Sequence, residues 1–267
     1  MKEKVIELEK GSLTYWFHEK KTTKPTLLFI HGLLCNHTMF DHQVEYFKND
    51  YQILLWDMPL HGSNKDYKHF SYRQMAFDLK EILDFEEIES IIIIAQSLGG
   101  YPAQEFADLF PELVIGIAGI GIGPFGKQYY DGMDQWFLKN TGWMSSFILP
   151  QDLKSAIALS ATYSNKGHKQ MMSMLKEQSA REITKITQIA YDTLLAENHN
   201  IERKHPLLLI SGEHDTLGKM AEYAKEWHQK EGVPLEIVVD AGHNANVDNP
   251  EAVNRYLREF INDLLHV

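Results

Sequence analysis

The chain has 267 residues, 44% of them hydrophobic, which is enough for one large α/β domain with an inserted subdomain. Its 26 lysines and arginines against 37 aspartates and glutamates give a net charge of −11, so nucleic-acid phosphates and anionic membranes are poor partners. A single cysteine excludes an intramolecular disulfide. The absence of a membrane-length apolar run and of a signal peptide's apolar core predicts a cytoplasmic protein.

The first half of the chain alternates between apolar strand patterns and amphipathic helix patterns. A hairpin around Lys10-Gly11 is expected at one edge of a sheet. The alternation at this spacing predicts a parallel sheet covered by helices on both faces. Buried strands are predicted over residues 26–30, 51–56, 90–95 and 113–122.

The third of these buried strands passes through Gln96-Ser97-Leu98-Gly99-Gly100 directly into a helix pattern. A sharp corner of this kind exposes its serine at a helix N-terminus, where free backbone N–H groups stabilise negative charge. Small residues are needed at Ala95 and Gly99, since larger side chains would collide with the turn. The pattern is typical of a nucleophile elbow, although the same pentapeptide also occurs as a simple helix cap.

Two other strand ends carry polar residues for which we predict mainly structural roles. The first buried strand ends in His31-Gly32-Leu33, where Gly32 lets the chain double back and aim the Leu33 N–H above the serine. We interpret His31 as a hydrogen-bonded structural residue, because an oxyanion hole uses backbone groups rather than an imidazole. Asp57 is followed by a proline and a glycine, which favours a turn fixed by its side chain over a catalytic acid.

From residue 125 to about residue 204 the alternation stops and the pattern is helical. We predict a helical cap over residues 125–204, inserted after the sixth of about eight strands, with the core formed by residues 1–124 and 205–267. Most aromatic and methionine residues of this segment are expected in its core, because they recur at helical spacing. Five of them are candidates for the substrate pocket: Phe125, Trp136, Trp143, Met144 and Met174.

The alternation resumes with strands over residues 206–211 and 235–239, each followed by a polar turn. The first turn brings Asp215 and the second brings His243. A serine hydroxyl needs a base at neutral pH, and a neutral imidazole held by a buried carboxylate can serve as one. Asp215 is favoured as that carboxylate by its Gly-x-x-Asp turn, with Glu213 and Asp240 as rival acids.

Five landmarks occur in a fixed order along the chain. They are His-Gly-Leu at 31–33, Asp57-x-Pro59-x-His61-Gly62, Gln-Ser-Leu-Gly-Gly at 96–100, Gly212-x-x-Asp215 and Ala-Gly-His-Asn at 241–244. On these residues the chain resembles the α/β-hydrolases over nearly its whole length, the cap excepted. The resemblance implies a catalytic triad of Ser97, Asp215 and His243 and an oxyanion hole formed by the N–H groups of Leu33 and Leu98. It implies neither a cofactor nor a metal.

We therefore expect a serine hydrolase that cleaves a small, mostly apolar ester, thioester or lactone through an acyl-enzyme on Ser97. Its expected partner is a small-molecule substrate, with no nucleic acid and no membrane insertion, and a homodimer is left open. One alternative is a C–C bond hydrolase or lyase resembling the menaquinone-pathway enzymes, which place an arginine where this chain has Tyr101. Another is a small-molecule receptor or signalling protein of the same fold, suggested by the aromatic- and methionine-rich cap.

Overall fold

A computed structural model describes residues 1–145 and 149–266, and the side chains of these residues except 142–145. Eight strands form one sheet in the order β1-β2-β4-β3-β5-β6-β7-β8. β1 and β2 are antiparallel to their neighbours, and β3 to β8 are parallel. The strands are β1 Lys2–Leu8, β2 Gly11–His18, β3 Thr26–Ile30, β4 Ile53–Trp56, β5 Ile91–Gln96, β6 Val114–Ile120, β7 Leu207–Gly212 and β8 Leu235–Val238.

Helices cover both faces of this sheet, as the strand–helix alternation predicted. One face packs on α2, α3 and α8, and the other packs on α1 and α10. Four further helices, α4 to α7, lie between β6 and β7. The helices are α1 Asp41–Phe47, α2 Tyr72–Phe85, α3 Gly100–Leu109, α4 Gly132–Ser145, α5 Pro150–Ala161, α6 Asn165–Leu175, α7 Ala180–Glu197, α8 Met220–Glu231, α9 Ala245–Asp248 and α10 Pro250–Leu265.

The isoleucine run of β5 explains why this strand lies in the middle of the sheet. Side chains alternate between the two faces of a strand. Ile91 and Ile93 therefore enter one hydrophobic cluster, whereas Ile92 and Ile94 enter the cluster on the opposite face. With apolar side chains on both faces, β5 is stable only when helices cover both of them. Its carboxyl end consequently opens at the centre of the sheet's edge, where Ser97 follows.

The predicted strand over residues 51–56 begins two residues later than expected. The N–H of Tyr51 donates to the carbonyl of Phe47, so its backbone belongs to the turn that follows α1 rather than to the sheet. β4 accordingly starts at Ile53. The apolar character of Tyr51 reflects burial against α1, which a strand pattern does not distinguish from burial in a sheet.

The helices α4 to α7 occupy the segment predicted as a cap. They are attached to the rest of the molecule by defined contacts, such as the hydrogen bond of 2.8 Å from the Tyr72 hydroxyl to the Ala190 carbonyl. The division into a core and a cap at residues 125 and 204 stays a prediction. In the described part of the chain, no helix combines the length and the apolar character needed to cross a lipid bilayer.

Asp57 fixes the turn after β4, as predicted. Its Oδ1 accepts hydrogen bonds from the N–H and the Nδ1 of His37, at 2.7 and 3.0 Å, and its Oδ2 accepts one from the N–H of Ser63 at 2.8 Å. The pKa of this carboxyl is lowered because these hydrogen bonds and the neighbouring His31 outweigh its burial. The side chain is therefore committed to the turn.

Two buried histidines beside this turn, His31 and His61, predict a loss of stability in acid, because burial lowers the pKa of both. Burial, reinforced by nearby His31, lowers the pKa of His61 to about 3, whereas an unfolded histidine has a pKa of about 6.5. The unfolded chain then binds more protons between these pH values, so the stabilisation is complete above about pH 6.5 and is lost as the pH falls towards 3. Thermal unfolding between pH 4.5 and 8 should show a falling melting temperature in acid.

His61→Asn is the matched variant for this measurement. Its amide can keep the donor that the His61 Nδ1 offers to the Pro59 carbonyl at 2.9 Å, while it removes the titrating group. We expect a shallower decline of melting temperature in acid for His61→Asn, and an unchanged decline for the exposed control His214→Asn. Equal slopes for wild type and His61→Asn would show that His61 does not carry the acid sensitivity.

Candidate active site

Three side chains from separate strand ends meet at the carboxyl edge of the sheet. The Nε2 of His243 lies 2.7 Å from the Oγ of Ser97, and its Nδ1 lies 2.9 Å from the Oδ2 of Asp215. An ionised carboxylate only accepts hydrogen bonds, so Nδ1 carries the proton and Nε2 is left to accept from the serine hydroxyl. A neutral imidazole held in this tautomer can remove the proton of an attacking hydroxyl.

Ser97 occupies the strained corner between β5 and the helical turn that leads into α3. Its φ is +49°, in the left-handed region that non-glycine residues rarely adopt. Two residues later, a Cβ on Gly99 would lie 2.5 Å from the Ile30 carbonyl oxygen and 2.6 Å from that of His31. Only glycine lets the start of the helix approach the end of β3 this closely, which places the serine beside the segment that follows β3.

The backbone N–H groups of Leu33 and Leu98 are available beside Ser97. Both residues line the same cavity as the serine. The Leu98 N–H lies in the first turn of the helical segment, where no intrahelical acceptor exists. In the part of the chain that the structure describes, the Leu33 N–H also has no acceptor. Two such donors can bind an oxygen on which negative charge develops.

The rival acids do not contact His243. Glu213 and Asp240 are exposed, and the N–H of Asp240 donates to the Oε2 of Glu213 at 3.3 Å. Together with His214 they place ligand-type atoms within 4.8 Å of one another, but all three side chains are exposed. Exposed groups of this kind are common without an ion, so they do not by themselves indicate a metal site. Asp215 is thus the carboxylate that meets the imidazole.

Ser97 and His243 open into a cavity of about 550 Å³, a size suited to a small organic molecule. Helices α4, α5 and α7 supply much of its wall. The segments after β3, β5, β7 and β8 and single residues of other helices, such as Met171 of α6, complete it. Side chains at four-residue intervals on α5 and α7 face it. The apolar lining includes Leu33, Leu34, Leu98, Phe137, Leu138, Leu153, Ile157, Ala161, Met171 and Ile183.

The polar part of this wall is neutral or internally paired. The Tyr101 and Tyr130 hydroxyls lie 2.8 Å apart, and Tyr130 donates to the Pro124 carbonyl at 2.9 Å. Burial raises the pKa of Tyr101, which keeps its phenol neutral. Lys219 is the one lysine or arginine among the described lining residues, and its Nζ lies 2.6 Å from Asp134. The cavity therefore presents no unpaired cation in its described wall.

Three of the five candidate pocket residues do not line this cavity. Phe125 is buried behind the wall, with its ring 5.1 Å from that of Tyr101. Trp136 is 57% exposed on α4, while its neighbour Phe137 lines the cavity. Met174 is buried in the core, and Met171, one turn earlier, faces the cavity instead. Composition identified the helices, but which residues face inward depends on how each helix is rotated.

Trp143 and Met144, the other two candidates, lie outside the residues whose side chains are described. The residues that sequence reasoning missed do carry a signal. Leu153, Ile157 and Ala161 recur every four residues on α5 and line the cavity. Ile183, Thr187 and Tyr191 repeat this spacing on α7. Two such stripes, on α5 and on α7, are the pattern expected of two helices that face one space.

Comparisons with known proteins agree with this architecture. A family model described as the alpha/beta hydrolase fold matches residues 25–250. A Haemophilus influenzae protein named "Putative esterase/lipase" is 24% identical over 261 residues, covering 96% of this chain and 90% of that protein. An esterase from Thermogutta terrifontis with malate bound has a TM-score of 0.75 at 16% identity, covering 99% of each chain. MenH from S. aureus has a TM-score of 0.74 at 18% identity, covering 94% of this chain and 98% of that one.

Proposed function

The chain belongs to the alpha/beta hydrolase fold family, and from this membership and the geometry of its site we propose a serine hydrolase that cleaves small, mostly apolar carboxylic esters. Thioesters and lactones present the same acyl carbon and fall within the proposal. The observation that carries it is the continuous hydrogen-bonded chain from Asp215 through His243 to Ser97, at 2.9 and 2.7 Å, opening into a largely apolar cavity.

In the proposed reaction, the Ser97 oxygen attacks the acyl carbon while its proton passes to the Nε2 of His243. Asp215 stabilises the imidazolium that forms. The carbonyl oxygen becomes an oxyanion held by the N–H groups of Leu33 and Leu98, each worth about 10²–10³ in rate in comparable sites. The imidazolium then gives its proton to the departing alcohol or thiol, which leaves an acyl-enzyme. A water molecule then attacks the acyl carbon while the imidazole takes its proton. The ester bond to Ser97 breaks, the imidazolium returns the proton to the serine oxygen, and the carboxylic acid is released.

The chemistry of the cavity supports an apolar acyl group. Burial of apolar surface contributes about 25 cal/mol per Å², so a fatty or aromatic acyl chain gains affinity from walls of leucine, isoleucine and methionine. The similar Haemophilus influenzae protein carries an esterase/lipase name, and the Thermogutta terrifontis neighbour is an esterase. Both names are consistent with hydrolysis of an ester.

A polyanionic substrate is less well matched to this cavity. The alternative of a lyase resembling the menaquinone-pathway enzymes needs cations that bind several carboxylates. At the position after the paired glycines this chain has Tyr101, whose hydroxyl is bonded to Tyr130. Lys219 is held by Asp134. The likeness to MenH extends to the fold, and the charge of the described cavity wall favours a neutral substrate.

A series of nitrophenyl esters from acetate to decanoate tests the acyl assignment. Ile157 lines the cavity from α5, whereas Leu159 on the same helix is 66% exposed and does not. Ile157→Phe is expected to lower the ratio of kcat/KM for long esters to that for acetate by about tenfold. The phenyl ring fills space in which about two methylenes of a long acyl chain would be buried, each worth about 0.8 kcal/mol. Leu159→Phe, the matched control, should leave the ratio unchanged. An unchanged ratio for Ile157→Phe would place the acyl chain elsewhere.

A further inference from the structure

The carbonyl of Gly32 belongs to the same peptide unit as the Leu33 N–H, and it accepts two hydrogen bonds. The Nδ1 of His31 lies 2.8 Å from this oxygen, and the N–H of Cys35 donates to it at 3.2 Å. On the other side of the imidazole, the N–H of Met58 donates to the Nε2 of His31 at 2.9 Å. Because a backbone N–H can only donate, Nε2 is an acceptor and Nδ1 carries the proton. His31 is therefore a donor to Gly32.

This bond controls the direction of the neighbouring N–H. In a planar trans peptide the carbonyl and the following N–H point in opposite directions. Fixing the Gly32 oxygen towards His31 therefore turns the Leu33 N–H away from His31. The same peptide lies close to the nucleophile, since a Cβ built on Gly32 would come within 3.1 Å of the Ser97 Cβ and 1.9 Å of the Gln96 Oε1. Small rotations of this peptide would change the distance from the donor to a bound oxyanion.

The surroundings of His31 keep it neutral. Its side chain is fully buried, and burial lowers its pKa despite the nearby Asp57. The Oδ1 of Asp57 lies 3.9 Å from Nε2 but is already occupied by His37. The ring of His61 lies 5.2 Å away. A second proton on His31 would have to displace the Met58 N–H.

We propose that His31 is a positioning residue of the oxyanion hole, which acts by holding the Gly32–Leu33 peptide so that the Leu33 N–H points at the developing oxyanion. His31 touches neither the substrate nor the reacting atoms. The inference rests on the proposed function, because it concerns the transition state of the reaction at Ser97. The proposed role differs from a purely structural one in its consequence. Loss of a structural histidine would weaken binding of a tetrahedral oxyanion adduct and of a planar carbonyl ligand alike, whereas loss of this positioning bond would weaken the adduct alone.

Two variants of His31 separate the two hydrogen bonds. His31→Asn places an amide N–H near the position of Nδ1 and can keep the bond to Gly32, while His31→Gln places its carbonyl near Nε2 and can keep the bond from Met58. Inhibition is measured with a trifluoromethyl ketone, which forms an oxyanion with Ser97, and with the corresponding methyl ketone, which binds mainly as a planar carbonyl. Melting temperatures are recorded alongside, to correct for the folded fraction.

We expect the two variants to differ in the steps that develop an oxyanion and to agree in binding a planar carbonyl. His31→Gln should weaken trifluoromethyl ketone inhibition and lower kcat by about 10-fold or more relative to His31→Asn, with methyl ketone binding equal in both. Equal trifluoromethyl ketone affinities in the two variants would overturn the proposal. In the wild type, ¹⁵N NMR should find the His31 proton on Nδ1, and a proton on Nε2 would overturn the proposal even if neither variant folds. A wild type that does not bind the trifluoromethyl ketone at all would instead contradict the proposed function.

Discussion

Replacing Ser97 with alanine is expected to abolish turnover of every ester that the wild type hydrolyses. The change removes the hydroxyl that lies 2.7 Å from the Nε2 of His243 and leaves the cavity and the backbone N–H groups of Leu33 and Leu98 in place. Loss of the nucleophile in a serine protease costs about 10⁶ in kcat, so activity here should fall to the background rate. Initial rates on a nitrophenyl ester, with melting temperature measured in parallel, check this expectation.

Ser160→Ala is the matched control for this change. Ser160 also lines the cavity, but its hydroxyl donates to the Ile157 carbonyl at 2.9 Å rather than to the imidazole of His243. Rates for this variant should stay within a small factor of the wild type. If Ser97→Ala kept a substantial fraction of activity at an unchanged melting temperature, the nucleophile would lie elsewhere.

Asp215→Asn is expected to have the second largest effect. The carboxylate holds the Nδ1 proton of His243 and stabilises the imidazolium, and an amide provides no charge. The amide N–H can also face Nδ1, which would force the imidazole into the wrong tautomer. In the precedent of a serine protease the loss is about 10⁴ in kcat, and we expect a fall of that order with an intact fold.

Two other aspartates serve as controls in the same measurement. Asp240→Asn changes an exposed side chain that does not contact His243, so kcat should hardly change. Asp57→Asn weakens the turn fixed through His37 and Ser63, so the melting temperature should fall while the folded fraction stays active. A dead Asp240→Asn beside a nearly normal Asp215→Asn would show that the carboxylate had been assigned wrongly.

The strand pattern of this chain could be predicted because burial leaves a direct mark on sequence. The run of isoleucines in β5 is apolar on both faces, and helices cover both faces of the sheet. The strand bounds are less certain where local hydrogen bonds compete with the sheet, as at Tyr51, whose N–H donates to Phe47 in the turn after α1 instead of pairing in β4. A hydrophobic pattern indicates that a residue is buried, but it does not indicate which backbone group accepts the hydrogen bond of that residue's N–H.

The residues that meet at the site were also visible in the sequence, because each follows a strand at the same edge of a parallel sheet. Ser97, Asp215 and His243 lie far apart in the chain, and topology alone brings the ends of β5, β7 and β8 together. The Gly-x-x-Asp turn already favours Asp215 over Asp240 in the sequence, and the contact with His243 agrees with that choice. Both aspartates lie in polar turns near His243, and only the structure places one against its Nδ1.

The cavity wall could not be predicted from residue types. Phe137 faces the cavity and Trp136 faces solvent, although both are large aromatic residues of α4. Which of them turns inward depends on the rotation of the helix against α7, and that rotation is set by long-range packing. The sequence predicts a hydrogen-bonded structural role for His31, but not its tautomer, which follows from a donor twenty-seven residues away, the N–H of Met58.

The most direct test of a serine hydrolase is intact-mass analysis after treatment of the native protein with a fluorophosphonate. Such reagents phosphonylate a serine that is activated by a histidine and faces an oxyanion hole. We expect one adduct on wild type, localised to Ser97, and none on Ser97→Ala, with Ser160→Ala labelled like the wild type. A natively folded wild type that remains unlabelled, or an adduct that persists in Ser97→Ala, would contradict the proposed function.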